Sequence, residues 1–278
     1  MRIKRITDVR LLLSRRGTAI PVSFLMLFVS LTIIVSATFY VSVVEIQARG
    51  KLVNVAVAKQ SMVALENSIE ALTWSPDSSI IYLFEDGGGI FETYPTENRL
   101  LVNVTSQIFQ DVVFNGTVGK VVYQLPSTET SVSTLYMKGD RRAIINQTEL
   151  TLSQMYLSPG ELTPEITLTY RPLVTISETG YSNGKPVNTL RLYIISLNHS
   201  TEFLAQGKFK TKATCTGVIT YSQQYNFTET IASISVKAVL DGRTDIVVLP
   251  VSSNTNGAFI LVETLVCYIK LERVQGGS

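Results

Sequence analysis

A run without a single charge, the 28 residues from Gly17 to Val44, constrains this chain more than any other feature. A bilayer core of roughly 30 Å is crossed by about 20 helical residues, so the run is long enough to span one. A discarded secretory signal has an apolar core of only about 7 to 15 residues. That makes removal the poorer reading, although Val35-Ser36-Ala37 would pass as a small-residue cleavage site. Direction comes from the flanks: Arg2, Lys4, Arg5, Arg10, Arg15 and Arg16 precede the run, with Asp8 as the only acid among them. Positive flanks stay in the cytoplasm. The sequence therefore predicts a single-pass protein of the cell membrane with residues 1–17 cytoplasmic and the bulk of the chain, beyond Glu45, outside. The formal net charge of +2 conceals a mildly acidic remainder, and neither charge nor composition suits a nucleic-acid partner.

The helical pattern continues past the membrane. Leu52, Val55, Met62, Leu65, Ile69 and Leu72 recur at three, four or seven residues and form one stripe, with Lys51, Asn54, Gln60, Ser61, Glu66, Asn67 and Glu70 mostly on the other side. No proline intervenes between Pro21 and Pro76, so one helix is predicted from about Thr18 to Trp74, roughly 85 Å at 1.5 Å per residue. It divides into a membrane segment, 18–45, and an extracellular extension, 46–75. Gly50 is its weak point, and Trp74-Ser75-Pro76-Asp77 ends it, because Pro76 disfavours helix at Ser75.

From Ser79 the period becomes strand-like. Runs such as SIIYLFE, RLLVNVT, ITLTYRPLVTIS, TLRLYIISL and GAFILVETLVCYIKLE are rich in β-branched and aromatic residues and are separated by turn residues. Asn115-Gly116 and Asp241-Gly242 read as two-residue hairpin turns. The predicted class is mainly β: a long N-terminal membrane-spanning α-helix followed by an extracellular antiparallel β-sandwich-like region, 76–278. Two prolines and a glycine in residues 157–165 offer a boundary between subdomains.

Two further features fit an exterior location. The N-x-S/T pattern occurs at Asn103, Asn115, Asn146, Asn198 and Asn226, which are the candidate glycosylation sites. The chain's two cysteines, Cys215 and Cys267, both lie in the predicted exterior region, where a disulfide would close a long loop; two buried free thiols are the alternative.

Catalytic material is sparse. His199 is the only histidine and sits inside a sequon, so no His-based triad or two-histidine zinc site can be assembled in one chain. Glu85-Asp86 before Gly87-Gly88-Gly89, and Asp241 with Asp245, are carboxylate pairs in turn-like sequence, where Asp and Gly are expected for conformational reasons. The triple glycine leads into IFETY, a strand, and lacks the Gly-Lys-Ser/Thr of a phosphate loop. Tyr221, Tyr225 and Phe227 could form a sugar platform, although packing explains them more simply. No catalytic residue, metal site or cofactor is predicted.

SRRGTAIPV followed by the apolar helix resembles the class III signal of archaeal type IV pilin-like proteins. FNGTVGKVVYQLP, residues 114–126, is similar to a segment of archaeal pilin-like, membrane-anchored surface proteins. The resemblance implies that a prepilin-peptidase-like protease recognises Arg15, Arg16 and Gly17, cuts on the cytoplasmic side and leaves Thr18 as the new N-terminus, with the helix retained. Pro21 matches a proline common just inside pilin helices, whereas Val22 stands where bacterial pilins carry a glutamate, a residue that archaeal relatives frequently lack as well. It implies, too, self-association or pairing with other pilin-like subunits through the helix, where Ala19, Ser23, Ser30, Ser36, Ala37 and Ser42 permit close approach. The expected function is a non-enzymatic pilin-like subunit or minor component of a type IV pilus-like assembly. A monomeric anchored ectodomain with a binding or envelope role is the alternative, and an anchored hydrolase working through acidic residues is a third reading.

Overall fold

The computed structural model describes residues 19–106, 109–126, 133–160 and 163–274, with side chains from residue 22 onward. The chain divides into two compact units, Met1–Leu52 and Val53–Ser278. Helix α1, Ala19–Leu72, contributes to both and has no acidic residue in its first turn and no basic residue in its last.

In the first unit, apolar residues cover every side of α1, and Pro21 falls in its opening turn, where a missing amide hydrogen costs nothing. Helical geometry runs through Gly50 without a break. In the second unit Ala58, Met62, Leu65, Ile69 and Leu72 form the buried stripe. Leu52, expected on that stripe, is exposed, while Ser61 and Glu66, expected on the outer side, are buried. Helical spacing explains Glu66: it stands four residues after Met62 and three before Ile69, on the same face. The helix ends as predicted. Thr73 donates its amide to Ile69 and Glu70, Ser75 donates to Leu72, and Trp74 takes the left-handed conformation at φ 67° that glycine usually supplies.

Among the described residues fifteen strands, numbered in chain order, build three sheets. The five-stranded sheet has the order β1 (Ser79–Phe84), β12 (Phe209–Phe227), β15 (Ala258–Val274), β10 (Lys185–Ser196), β9 (Leu173–Ser182). The six-stranded sheet runs β11 (Leu204–Gln206), β2 (Ile90–Tyr94), β5 (Lys120–Gln124), β8 (Pro164–Tyr170), β7 (Ser153–Pro159), β6 (Leu135–Lys138). The four-stranded sheet runs β14 (Arg243–Pro250), β13 (Ser233–Leu240), β3 (Arg99–Thr105), β4 (Gln110–Thr117). All pairings are antiparallel except that of β10 with β15, which is parallel.

The five-stranded sheet serves two cores on opposite faces. Along β15 the even residues Ala258, Ile260, Val262 and Val266 enter one core with β3, β10 and β13; the odd residues Cys267, Ile269 and Leu271 enter the other with α1, β5 and β8. Successive side chains of a strand point to opposite faces, so the change of parity at Val266/Cys267 marks the crossover. A bulge in β12 between Cys215 and Gly217 shifts its parity so that Val218, opposite Cys267, stays on the α1 side.

Two predicted boundaries are corrected. Asp241-Gly242 is the expected hairpin turn between β13 and β14, with φ of 48° and 76°. Asn115-Gly116 instead lies within β4, paired with Leu101 and Leu100, and the chain turns at Val118-Gly119, where Gly119 has φ 71°. No hairpin can form there because β4 and β5 belong to different sheets. Residues 157–165 likewise do not separate subdomains, since β7 and β8 on either side pair with each other, Pro159 opposite Pro164.

Candidate functional site

The most distinctive surface is the apolar stretch of α1 in the first unit. Phe24, Leu25, Met26, Leu27, Phe28, Ile33, Ile34, Phe39 and Tyr40 are each at least 60% exposed, so among the described residues nothing covers any face of this stretch. Four of its hydroxyls are satisfied within the helix: Ser30 donates to Leu27 O at 2.9 Å, Thr32 to Phe28 O at 2.8 Å, Thr38 to Ile34 O at 2.8 Å and Ser42 to Thr38 O at 2.8 Å. Such back-bonding lets a polar side chain enter an apolar medium without an unpaired donor. The helix is long and apolar enough to cross a membrane. The processing residues Arg15, Arg16, Gly17 and Thr18 lie outside the described residues.

Four of the five sequon asparagines are exposed. Asn146 and Asn198 lie outside strands, in exposed stretches, and Asn115 and Asn226 are exposed on β4 and β12, where their Oδ1 atoms accept from Arg99 and Lys185. Asn103 differs: it is half-buried within β3, its Oδ1 is buried with no hydrogen-bond partner, and glycan attachment there would disrupt the four-stranded sheet.

The expected disulfide is corrected. Cys215 and Cys267 are both free and fully buried, with their sulfurs 3.6 Å apart, far beyond the roughly 2.05 Å of an S–S bond. The bulge in β12 sets them diagonally across the ladder, Cys215 opposite Ile269 and Cys267 opposite Val218. Both thiols pack in the α1-side core, and burial pushes the Cys267 thiol up to about 12, away from reactivity.

The carboxylate pairs resolve into structural contacts. Asp86 accepts the amide of Gly88 at 2.8 Å, and Asp245 accepts that of Ala143 at 2.6 Å. Gly89 is packed so closely that a Cβ would lie 2.1 Å from Gln124 O. His199, exposed in a turn, contacts Thr216 Oγ1 at 2.9 Å and stacks on Tyr268 at 4.3 Å. Among the described residues no group of three or more His, Cys, Asp or Glu is arranged to hold a metal.

Sequence reasoning missed two ion pairs, each with one fully buried partner. Arg171, between β8 and β9, has a fully buried side chain; it donates to Asp140 Oδ1 at 2.5 Å and to the carbonyls of Thr151, Asp140 and Arg142. Arg142 and Arg171 together hold the Asp140 carboxyl well below the usual carboxylate range, Arg142 contributing most. On α1, the buried Glu66 carboxylate pairs with Lys138 of β6, which also reaches Glu70 at 3.1 Å. Burial alone would lower the Lys138 amine, but its bonds to Glu66 and Glu70 outweigh that and raise it. The detectable signal for Arg171 was a charge inside the apolar run TYRPLV.

No protein-family model matches the chain, and no curated protein or solved structure shows significant similarity to it.

Proposed function

We propose that this chain is a non-enzymatic cell-surface protein held in the membrane by residues 18–45, N-terminus cytoplasmic and an extracellular, sandwich-like β-region outside. In this reading a prepilin-peptidase-like protease cuts between Gly17 and Thr18, and the mature chain is a pilin-like subunit or minor component of a type IV pilus-like assembly. The supporting observation is the helix surface from Val22 to Val44: uncharged, rich in large apolar groups on all sides, exposed among the described residues, and with four of its hydroxyls bonded to the helix's own carbonyls. A surface of that kind needs apolar neighbours from outside the chain, and lipid or the helices of other subunits are the two that suit it. The flanking basic cluster and the Arg15-Arg16-Gly17 pattern support orientation and cleavage.

Mass spectrometry of the native N-terminus tests the reading. A start at Thr18 is expected. An intact Met1 would favour the plain anchored ectodomain, and a start at Thr38 would overturn membrane retention altogether. If Thr18 is found, filament imaging with and without the protein decides between subunit and anchor.

A further inference from the structure

One sheet edge in the second unit is built differently from the rest. β1 pairs with residues 209–214 of β12 and no further. Past the bulge, over residues 217–227, β12 bonds to β15 on one side, and among the described residues its backbone meets no strand on the other. Such an edge presents a row of amide donors and carbonyl acceptors at alternate residues. Residues 219–224 are exposed without exception. On the face of the sheet that carries Val262 and Val266 into a core, Ile219 and Tyr221 remain 45% and 52% exposed, opposite Val266 and Thr264.

The other edges carry devices that stop a sheet from extending. β1 is short and runs into Glu85-Asp86, β11 has three residues and β6 has four. β14 carries Arg243, Asp245 and Pro250. β4 carries Asp111 and a register shift against β3, and β9 carries Glu178 and a register shift against β10. The free part of β12 has none of these along its length: residues 213–228 contain no charge and no proline.

A second copy of the same edge is a fitting occupant. A two-fold axis perpendicular to the sheet makes two β12 strands antiparallel and keeps each face on its own side, so residues of equal parity must oppose one another. The α1-to-β1 connection limits the pairing at one end and the end of β12 limits it at the other, so the axis that uses all of residues 217–227 passes Ser222. Ile219 then opposes Tyr225 of the second copy, Tyr221 opposes Gln223, Thr220 opposes Gln224 and Val218 opposes Asn226. No charge faces another in this register, and the β-branched residue against the aromatic one is a favourable cross-strand pair.

We infer that residues 217–227 of β12 are a homophilic docking edge through which two copies of this chain join their five-stranded sheets into one. The contact belongs to the second unit and does not depend on association through the apolar helix.

Site-specific cross-linking of the full chain in polyoxyethylene detergent, under mild oxidation with copper phenanthroline, tests it. Ser222→Cys places two thiols across the axis, and the protein should run mainly as a covalent dimer. Thr244→Cys, exposed on β14, should stay monomeric, and wild-type protein gives the background from the buried Cys215 and Cys267. Adding Thr220→Lys and Gln224→Lys to Ser222→Cys sets lysine against lysine twice and should cut the cross-linked fraction about tenfold or more. Using Thr220→Glu in place of Thr220→Lys sets opposite charges together and should restore the dimer, a recovery that a folding defect would not show. The inference is overturned if folded Ser222→Cys protein stays monomeric, if Thr244→Cys cross-links as strongly, or if the two lysines leave the yield unchanged. Oligomers that form without the Ser222 cross-link would overturn it too, while leaving helix-mediated assembly standing.

Discussion

Helix α1 contains two stretches that hydrophobic content alone barely distinguishes, yet they solve opposite problems. In the second unit Met62, Leu65 and Ile69 are wholly buried on one stripe, and the chain supplies their neighbours from β5, β8 and β15. In the first unit Leu25, Leu27 and Ile33 are each more than 60% exposed, and large apolar groups continue all round the helix. A one-sided stripe completes a core inside the molecule, whereas an all-round apolar surface asks for a medium or a partner outside it. The contrast extends to polar groups: Glu66 is buried against a lysine from another element, while Thr32, Thr38 and Ser42 bond only to their own helix.

The largest expected effect comes from charging the all-round surface. Leu31→Arg combined with Ile34→Asp places two charges where lipid is expected, at about 2.5–3.5 kcal/mol each by insertion scales. The doubly substituted chain should move from the membrane fraction to the soluble fraction on flotation, with thermal unfolding of the β-region unchanged. Retention in the membrane fraction would break the comparison. Shortening a side chain on the buried stripe tests the other half. Leu65→Ala should cost about 3 kcal/mol, a fall of roughly 6–12 °C in Tm by calorimetry, whereas Leu25→Ala should leave Tm within about 1 °C.

Where the sequence was informative, local chemistry and tertiary context agreed. β3 spans the whole of RLLVNVT, Asp241-Gly242 makes its turn, and α1 stops within two residues of Trp74. Where context prevailed, short-range signals misled. Asn115-Gly116 has the residues of a tight turn, but four strands of one sheet and six of another compete for its flanks, and β4 and β5 separate. β7 and the three-residue β11 lack a sustained alternation and were missed, and the parallel pairing of β10 with β15 depends on a crossover no local pattern encodes. The cysteines were legible as a pair, but the choice between a bond and two buried thiols was not, because a one-residue bulge sets their separation. The charge buried on α1 was least legible: Glu66 read as an outer-side residue, and only its burial beside Lys138 of β6 shows otherwise.

The smallest expected effect concerns Glu66, the carboxylate that α1 carries into its buried stripe. Its partner Lys138 is 27% exposed, so the pair is only partly shielded from water. Lys138→Gln should therefore destabilise the second unit at pH 7 by about 1–2 kcal/mol, less than the roughly 3–5 kcal/mol for one partner of a fully buried pair. The pH dependence follows from the raised Lys138 value. A group whose folded pKa lies above its unfolded one contributes its full stabilisation below the unfolded value, here 10.5, and loses it as pH rises through the folded one. Chemical denaturation of both chains at pH 7 and pH 11 should accordingly show the gap between them narrowing at the higher pH, as the wild-type lysine begins to lose its charge too. Because tyrosine titration affects both chains alike, the difference isolates the Lys138 contribution. A gap that stays constant or widens would mean that the amine acts through packing of its stem, and that the buried carboxylate of α1 is balanced in some other way.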